Sequence, residues 1–135
     1  MGQPRQIIGP QDLRSGYNAT GSSIGAALVV VLDNAGDRQI ELPGAVTDDV
    51  YGVTLKAIAN VTWGDVQIRG QAICTASAAI TIGDRLMLTT AGKVATWTAA
   101  GGSNAAVVGK AITAATTDGD LIEVELAGPG VVRQG

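Results

Sequence analysis

The chain carries the same strand–turn–strand unit twice, and that repetition leaves few folds open to it. Leu28-Val29-Val30-Val31-Leu32 is a short apolar run, Asn34-Ala35-Gly36-Asp37 a turn, and Arg38 to Leu42 a second strand. Ile80 to Thr98 (ITIGDRLMLTTAGKVATWT) reads as another hairpin. Leu86, Met87 and Leu88 form its apolar run, and Thr90-Ala91-Gly92-Lys93 its turn, with Gly92 free to take a positive φ. Val94, Thr96 and Thr98 then alternate with Ala95 and Trp97 at the period of a strand. The match continues past the hairpins. Val50-Tyr51-Gly52-Val53 resembles Val107-Val108-Gly109-Lys110, and Gly64-Asp65-Val66-Gln67-Ile68 resembles Gly119-Asp120-Leu121-Ile122-Glu123. The offsets are 56 residues from Gly36 to Gly92, 57 from Gly52 to Gly109 and 55 from Gly64 to Gly119. Such near-constancy predicts two copies of a unit of about 50 residues, placed on residues 25–72 and 83–128.

Candidate strands are 27–32, 38–42, 50–57, 65–75, 84–89, 93–98, 106–113 and 121–126, separated by Gly-, Asp- and Asn-bearing turns. Ala76 to Thr81 could be a turn of helix. Many short strands at this spacing predict an all-β fold: a small β-barrel or β-sandwich, β-tulip-like, with two related halves. Residues 1–20 contain Pro4 and Pro10 and show no sustained period, so they read as an extended N-terminal arm. Residues 21–128 are the β-domain. Residues 129–135, which open on Pro129-Gly130, read as a flexible C-terminal tail.

With 135 residues the chain can bury one real core. That core lacks phenylalanine and has few aromatics, so it must be built from Val, Ile, Leu and Ala. Each such side chain buries little area at about 25 cal/mol per Å². A domain of this kind gains stability by association, which predicts a homo-oligomer. Net charge is −3 and the basic residues are scattered singly, which argues against a nucleic-acid groove. The longest apolar run, Ala26 to Leu32, is too short to span a membrane, and the N-terminus has no apolar signal region. Two glycosylation sequons, at Asn18 and Asn60, read as chance. Cys74 stands alone in a strand-like context and is expected to be a buried structural thiol.

The chemistry-bearing motifs fail one by one. Gly21-Ser22-Ser23-Ile24-Gly25 matches a nucleophile elbow, yet the chain has no histidine to act as base and the motif precedes a strand. No phosphate loop or dinucleotide fingerprint is present. One cysteine and no histidine exclude a Cys/His metal site. Asp33/Asp37, Asp48/Asp49 and Asp118/Asp120 could offer oxygen ligands to calcium, but turn aspartates more often bond their own backbone. The expectation is no catalytic, metal or cofactor site. Binding residues are sought elsewhere. Trp97 alternates along a strand and is expected in the core. Trp63, just before Gly64-Asp65 in a turn, is an interface candidate or a lid over a barrel end. In the arm, Arg5, Gln6, Ile7, Ile8, Leu13, Arg14 and Tyr17 are candidates for contact with a partner by strand addition or groove packing.

From about Ala26 to Ala127 the chain resembles the capsid cement, or head decoration, proteins of tailed bacteriophages. The resemblance is carried by Gly70-Gln71-Ala72, then Ile80-Thr81-Ile82-Gly83-Asp84-Arg85-Leu86 and Ala91-Gly92-Lys93-Val94. After these come Val108-Gly109-Lys110-Ala111-Ile112, Gly119-Asp120 and Val124-Glu125-Leu126. It implies a structural, non-enzymatic protein on the outer capsid surface of the virion. Its partners would be the major capsid protein and further copies of itself, as a trimer more often than a dimer. A clamp on a lattice needs no reactive group, and many weak contacts add to strong retention. The alternative is a carbohydrate- or receptor-binding β-module of a phage or bacterial surface structure.

Overall fold

The computed structural model describes residues 12–45, 48–98, 104–127 and 132–134. Among these there is no helix. The strands are β1 (Asp12–Asn18), β2 (Val29–Leu32), β3 (Gln39–Glu41), β4 (Gly52–Thr54), β5 (Thr62–Arg69) and β6 (Gln71–Thr75). They continue with β7 (Arg85–Leu88), β8 (Val94–Thr96), β9 (Asn104–Ala111), β10 (Leu121–Leu126) and β11 (Val132–Gln134). The first five close a barrel in the order β1-β3-β2-β4-β5. The others form a sheet in the order β6-β10-β9-β7-β8, with β11 added on β9.

The two orders are the same order. β1 to β5 map in sequence onto β6 to β10, and each antiparallel pair recurs: β2–β3 as β7–β8, β2–β4 as β7–β9, β4–β5 as β9–β10, and β1–β5 as β6–β10. Register agrees too. Val29 faces Val53 as Arg85 faces Lys110, and Val53 faces Gln67 as Lys110 faces Glu125. The isolated bridge Ile24–Ile58 recurs as Ile80–Ala115. Ala76 to Thr81 holds bridges at Ala76 and Ile80 with bends at Ser77 and Ala78 between them, and no helical turn.

The expectation of two related halves therefore holds, with different bounds. The units run 12–69 and 71–126, each opening one strand earlier than 25–72 and 83–128. Asp12–Asn18, read as part of an arm, is a barrel strand paired with β5 over its whole length. Its burial pattern, with Gly16 and Asn18 inward, is too short and too polar to show as an apolar period. The single strand expected over 65–75 is two, because Gly70 at φ 89° breaks it. Gly52 and Gly109 are true counterparts. A Cβ on either would strike the backbone of the neighbouring strand, at Gln67 and Glu125 respectively. The other two glycine matches slip: the counterpart of Gly92 is Arg38, and that of Gly119 is Val61, which both have positive φ (57° and 61°) without being glycine.

The core has two parts. Ile24, Val30, Ile40, Ile58, Val66 and Ile68 fill the first barrel. The larger cluster joins Leu86, Leu88, Val94, Ile122 and Val124 of the second half to Val29, Val31 and Val53 on the outside of the first. β2 is thus apolar on both faces, which is why its sequence is a run rather than an alternation. In the first barrel the seam between β1 and β3 is closed by Tyr17 N–H donating to the Arg38 carbonyl at 2.8 Å. The corresponding groups of the second half, Thr75 N–H and Gly92 C=O, do not pair with each other. They take the Ala27 carbonyl (2.9 Å) and the Val29 N–H (2.7 Å), so residues 27–29 are laced into the seam.

Candidate functional site

Tyr17 and Trp63 face each other across β1 and β5. Their ring centroids are 5.1 Å apart at 52°, a tilted aromatic pair. Trp63 lies within β5, not in a turn, and is 58% exposed. It walls a cleft of about 230 Å³ shared with Leu55, Lys56, Ala57, Ile58 and Asp65. Leu13 sits two outward positions along β1 from the Tyr17 rung, and Val61, 64% exposed, precedes β5. The fold thus pairs Tyr17 with Trp63, which sequence reasoning had assigned to an arm and to a turn, and sets Leu13 farther along β1 opposite Gln67. Arg14 is on the surface of the same strand in an ion pair with Asp12, which Arg69 shares at 3.2 Å. Arg5, Gln6, Ile7 and Ile8 lie outside the described residues.

Asn18, fully buried, positions this face. Its side-chain NH₂ donates to the carbonyls of Ser22 and Ile58, both at 2.8 Å. Its side-chain oxygen accepts from Thr20 N–H (3.0 Å) and Thr20 O–H (2.7 Å). Its backbone carbonyl accepts from Val61 N–H at 2.7 Å and so fixes the start of β5. Sequence reasoning met Asn18 only as a sequon. A buried, fully bonded amide leaves no signal in one sequence beyond its neighbours Thr20 and Ser22.

One aspartate of each candidate pair bonds its own turn. Asp33 accepts from Ala35 N–H (3.0 Å), and Asp48 from the N–H groups of Gly44 (2.7 Å) and Ala45 (3.1 Å). Asp120 accepts from Thr116 N–H and O–H and from Thr117 N–H, and the Thr116 backbone bond is the main reason its carboxyl is held below the usual range. Ser23, in the elbow-like motif, donates to the Ile58 carbonyl at 3.5 Å. Burial pushes the Cys74 thiol up to about 12, so it does not ionise or react at neutral pH.

A second depression, of about 590 Å³, lies at the β2–β3 end of the first barrel. Val31, Leu32, Val50 and Tyr51 give it apolar surface, and Glu41, Asp48 and Asp49 make it acidic. Burial raises the Glu41 carboxyl, and the charges of Asp33 and Asp48 raise it further. Leu32 is 54% exposed there, while its counterpart Leu88 is fully buried in the core.

Comparison with known proteins places the fold. A solved structure, the head fiber gp8.5 N base of bacteriophage phi29, aligns with a TM-score of 0.64 at 18% identity, over 87% of this chain and 95% of that one. No curated protein matches the sequence. The family described as phage cement protein matches residues 12–126, which include both halves of the duplication and the Tyr17–Trp63 face, and the chain belongs to that family.

Proposed function

We propose that the protein is a capsid decoration protein that binds the outer surface of the mature phage head and stabilises it against internal DNA pressure. It acts through contacts and not through catalysis. Its partners are the major capsid protein and further copies of itself, most simply as a trimer, without nucleic acid or membrane. The observation that carries the reading is the Tyr17–Trp63 pair, with Tyr17 half-buried and Trp63 exposed, on the barrel wall of a cement-family chain. A large aromatic left in water on a rigid strand is the kind of residue that dominates interface energies. Leu13 extends that surface along β1. Residues 1–11 join the barrel at Asp12 and can reach roughly 35–40 Å when extended, so Arg5, Gln6, Ile7 and Ile8 can engage a neighbouring capsid subunit beside the same face.

Co-sedimentation with purified expanded shells tests this. Trp63→Ala is expected to weaken shell binding by roughly 10–100-fold while the circular dichroism stays β. Unchanged retention would remove this face from the interface. If the protein ignores shells and Trp63→Ala instead abolishes binding on a glycan array, the carbohydrate- or receptor-binding alternative replaces the capsid reading.

A further inference from the structure

We infer that one copy of this chain docks its β7–β9 face into the acidic depression of the next copy, head to tail. The inference rests on the proposed oligomer and names its contact. The first half buries the outside of β2 and β4, through Val29, Val31 and Val53, against the second half. The counterparts of these residues are Arg85, Met87 and Lys110. Arg85 and Lys110 are exposed and Met87 is partly buried. Equivalent faces are therefore used differently in the two halves, which makes the internal contact heterologous. The heterologous contact leaves the β7–β9 face of the second half unused, and copies joined head to tail through such a face form rings or filaments.

That face and the acidic depression of the first half have complementary chemistry. Arg85 and Lys110 lie opposite each other in register on β7 and β9. Like charges in that position destabilise a sheet, so the pair is costly to the isolated fold. Among the described residues the ion pairs are Asp12 with Arg14 and Arg69, and Lys93 with Asp118; neither Arg85 nor Lys110 joins one. Glu125, on the far side of Lys110, answers only one of the two charges. The acidic depression offers the reverse: Glu41, Asp48 and Asp49 around Leu32, Val50 and Tyr51. Within the chain valines meet an apolar core. Between chains a basic face with a methionine meets an acidic groove with a leucine. The charged version is weaker and dependent on salt, because exposed ion pairs are screened and act mainly on encounter and specificity. A chain with this contact can be made as a soluble unit and assemble when concentrated on a lattice.

The test is sedimentation analysis of the full chain at concentrations up to about 1 mM. Wild type is expected to associate at low salt and to dissociate as salt rises. Arg85→Glu with Lys110→Glu, and separately Glu41→Lys with Asp49→Lys, should each weaken association on the order of 100-fold with the circular dichroism unchanged. Asp48 is left alone because it holds its own turn. The fourfold variant, carrying both charge reversals, should regain association with itself and should not co-assemble with wild type. Wild type that stays monomeric throughout, a two-residue reversal that associates like wild type, or a fourfold variant that stays monomeric overturns the inference. Shell co-sedimentation of the same variants is read separately. If the reversals leave self-association intact while Trp63→Ala still loses shells, the copy contact is wrong and the capsid reading stands.

Discussion

Gly64 and Ile58 share one space. A Cβ on Gly64 would collide with the Ile58 side chain. The counterparts are Ile122 and Ala115, both buried, so the second half solves the same packing with the sizes exchanged. Gly64→Ile alone should cost about 1–3 kcal/mol by overpacking, and Ile58→Ala alone about 2–5 kcal/mol by leaving a cavity. The double variant should be more stable than the sum predicts, with a coupling of at least 1 kcal/mol in a urea double-mutant cycle. Val61 pairs in the same way with Gly119. Both take a positive φ, and their N–H groups donate to the carbonyls of Asn18 (2.7 Å) and Ala76 (2.8 Å). A β-branched residue is strained there, and Val61 is mostly exposed, so Val61→Gly should stabilise by about 1 kcal/mol in thermal melts. Two carboxylates set opposite pH slopes. The Asp120 pKa is lowered in the fold, so its contribution is present above the usual aspartate range and is lost as pH falls through the folded value. The Glu41 pKa is raised, so its penalty appears as pH climbs past the usual glutamate value and is complete above the folded one. Glu41→Gln should therefore raise the melting temperature at about pH 7 and not at about pH 3.

At the scale of elements, β1 decides what the N-terminal segment is. It pairs with β5 in antiparallel fashion and with β3 in parallel, and so closes the first barrel. Removing residues 2–16, as an arm would invite, takes away most of β1 and should unfold the barrel. Removing residues 2–11 should leave the circular dichroism unchanged and weaken shell retention, if Ile7 and Ile8 bind as proposed. Retention unchanged by the shorter deletion would confine the interface to the barrel wall. The sequence made the hairpins legible because their turns are local chemistry and their strands apolar. It made the duplication legible through Gly52 and Gly109, where close strand approach demands glycine in both halves. β1 was hidden because its partners are distant in sequence and its inward positions are Gly16 and Asn18. The glycine matches at Gly36 and Gly64 slipped because Arg38 and Val61 hold positive φ without the residue that advertises it. Trp63 and Tyr17 were both singled out in the sequence, Trp63 in a turn and Tyr17 in an arm, but their pairing was not legible, since only the β1–β5 register places them together.

At the scale of the whole molecule, the two halves share one strand pattern and are expected to unfold as one cooperative unit. Val29, Val31 and Val53 are 0%, 5% and 1% exposed, and the face they form is buried by the second half. Fully burying a valine contributes about 1.5–3 kcal/mol, so three approach the 5–15 kcal/mol that stabilises a typical domain. The laced seam adds to this. Without residues 27–29, Thr75 N–H and Gly92 C=O would lose their partners. Neither half can then open far below the energy of opening both. The chain supplies its own reporters, with Trp63 in β5 of the first half and Trp97 beside β8 of the second. Trp97→Phe leaves a signal from the first half, and Trp63→Phe one from the second. Urea unfolding followed by each fluorescence, with circular dichroism alongside, should give one transition for each variant. The two midpoints should then be displaced only by the stability change that circular dichroism reports for that substitution. Two separated transitions in either variant would show that the halves fold alone and that the valine face adds little. Residues 1–70 expressed by themselves sharpen the same point. That fragment keeps every strand of the closed barrel but exposes Val29, Val31 and Val53, and it is expected to self-associate or precipitate, whereas Val29→Thr with Val31→Thr and Val53→Thr should keep it soluble.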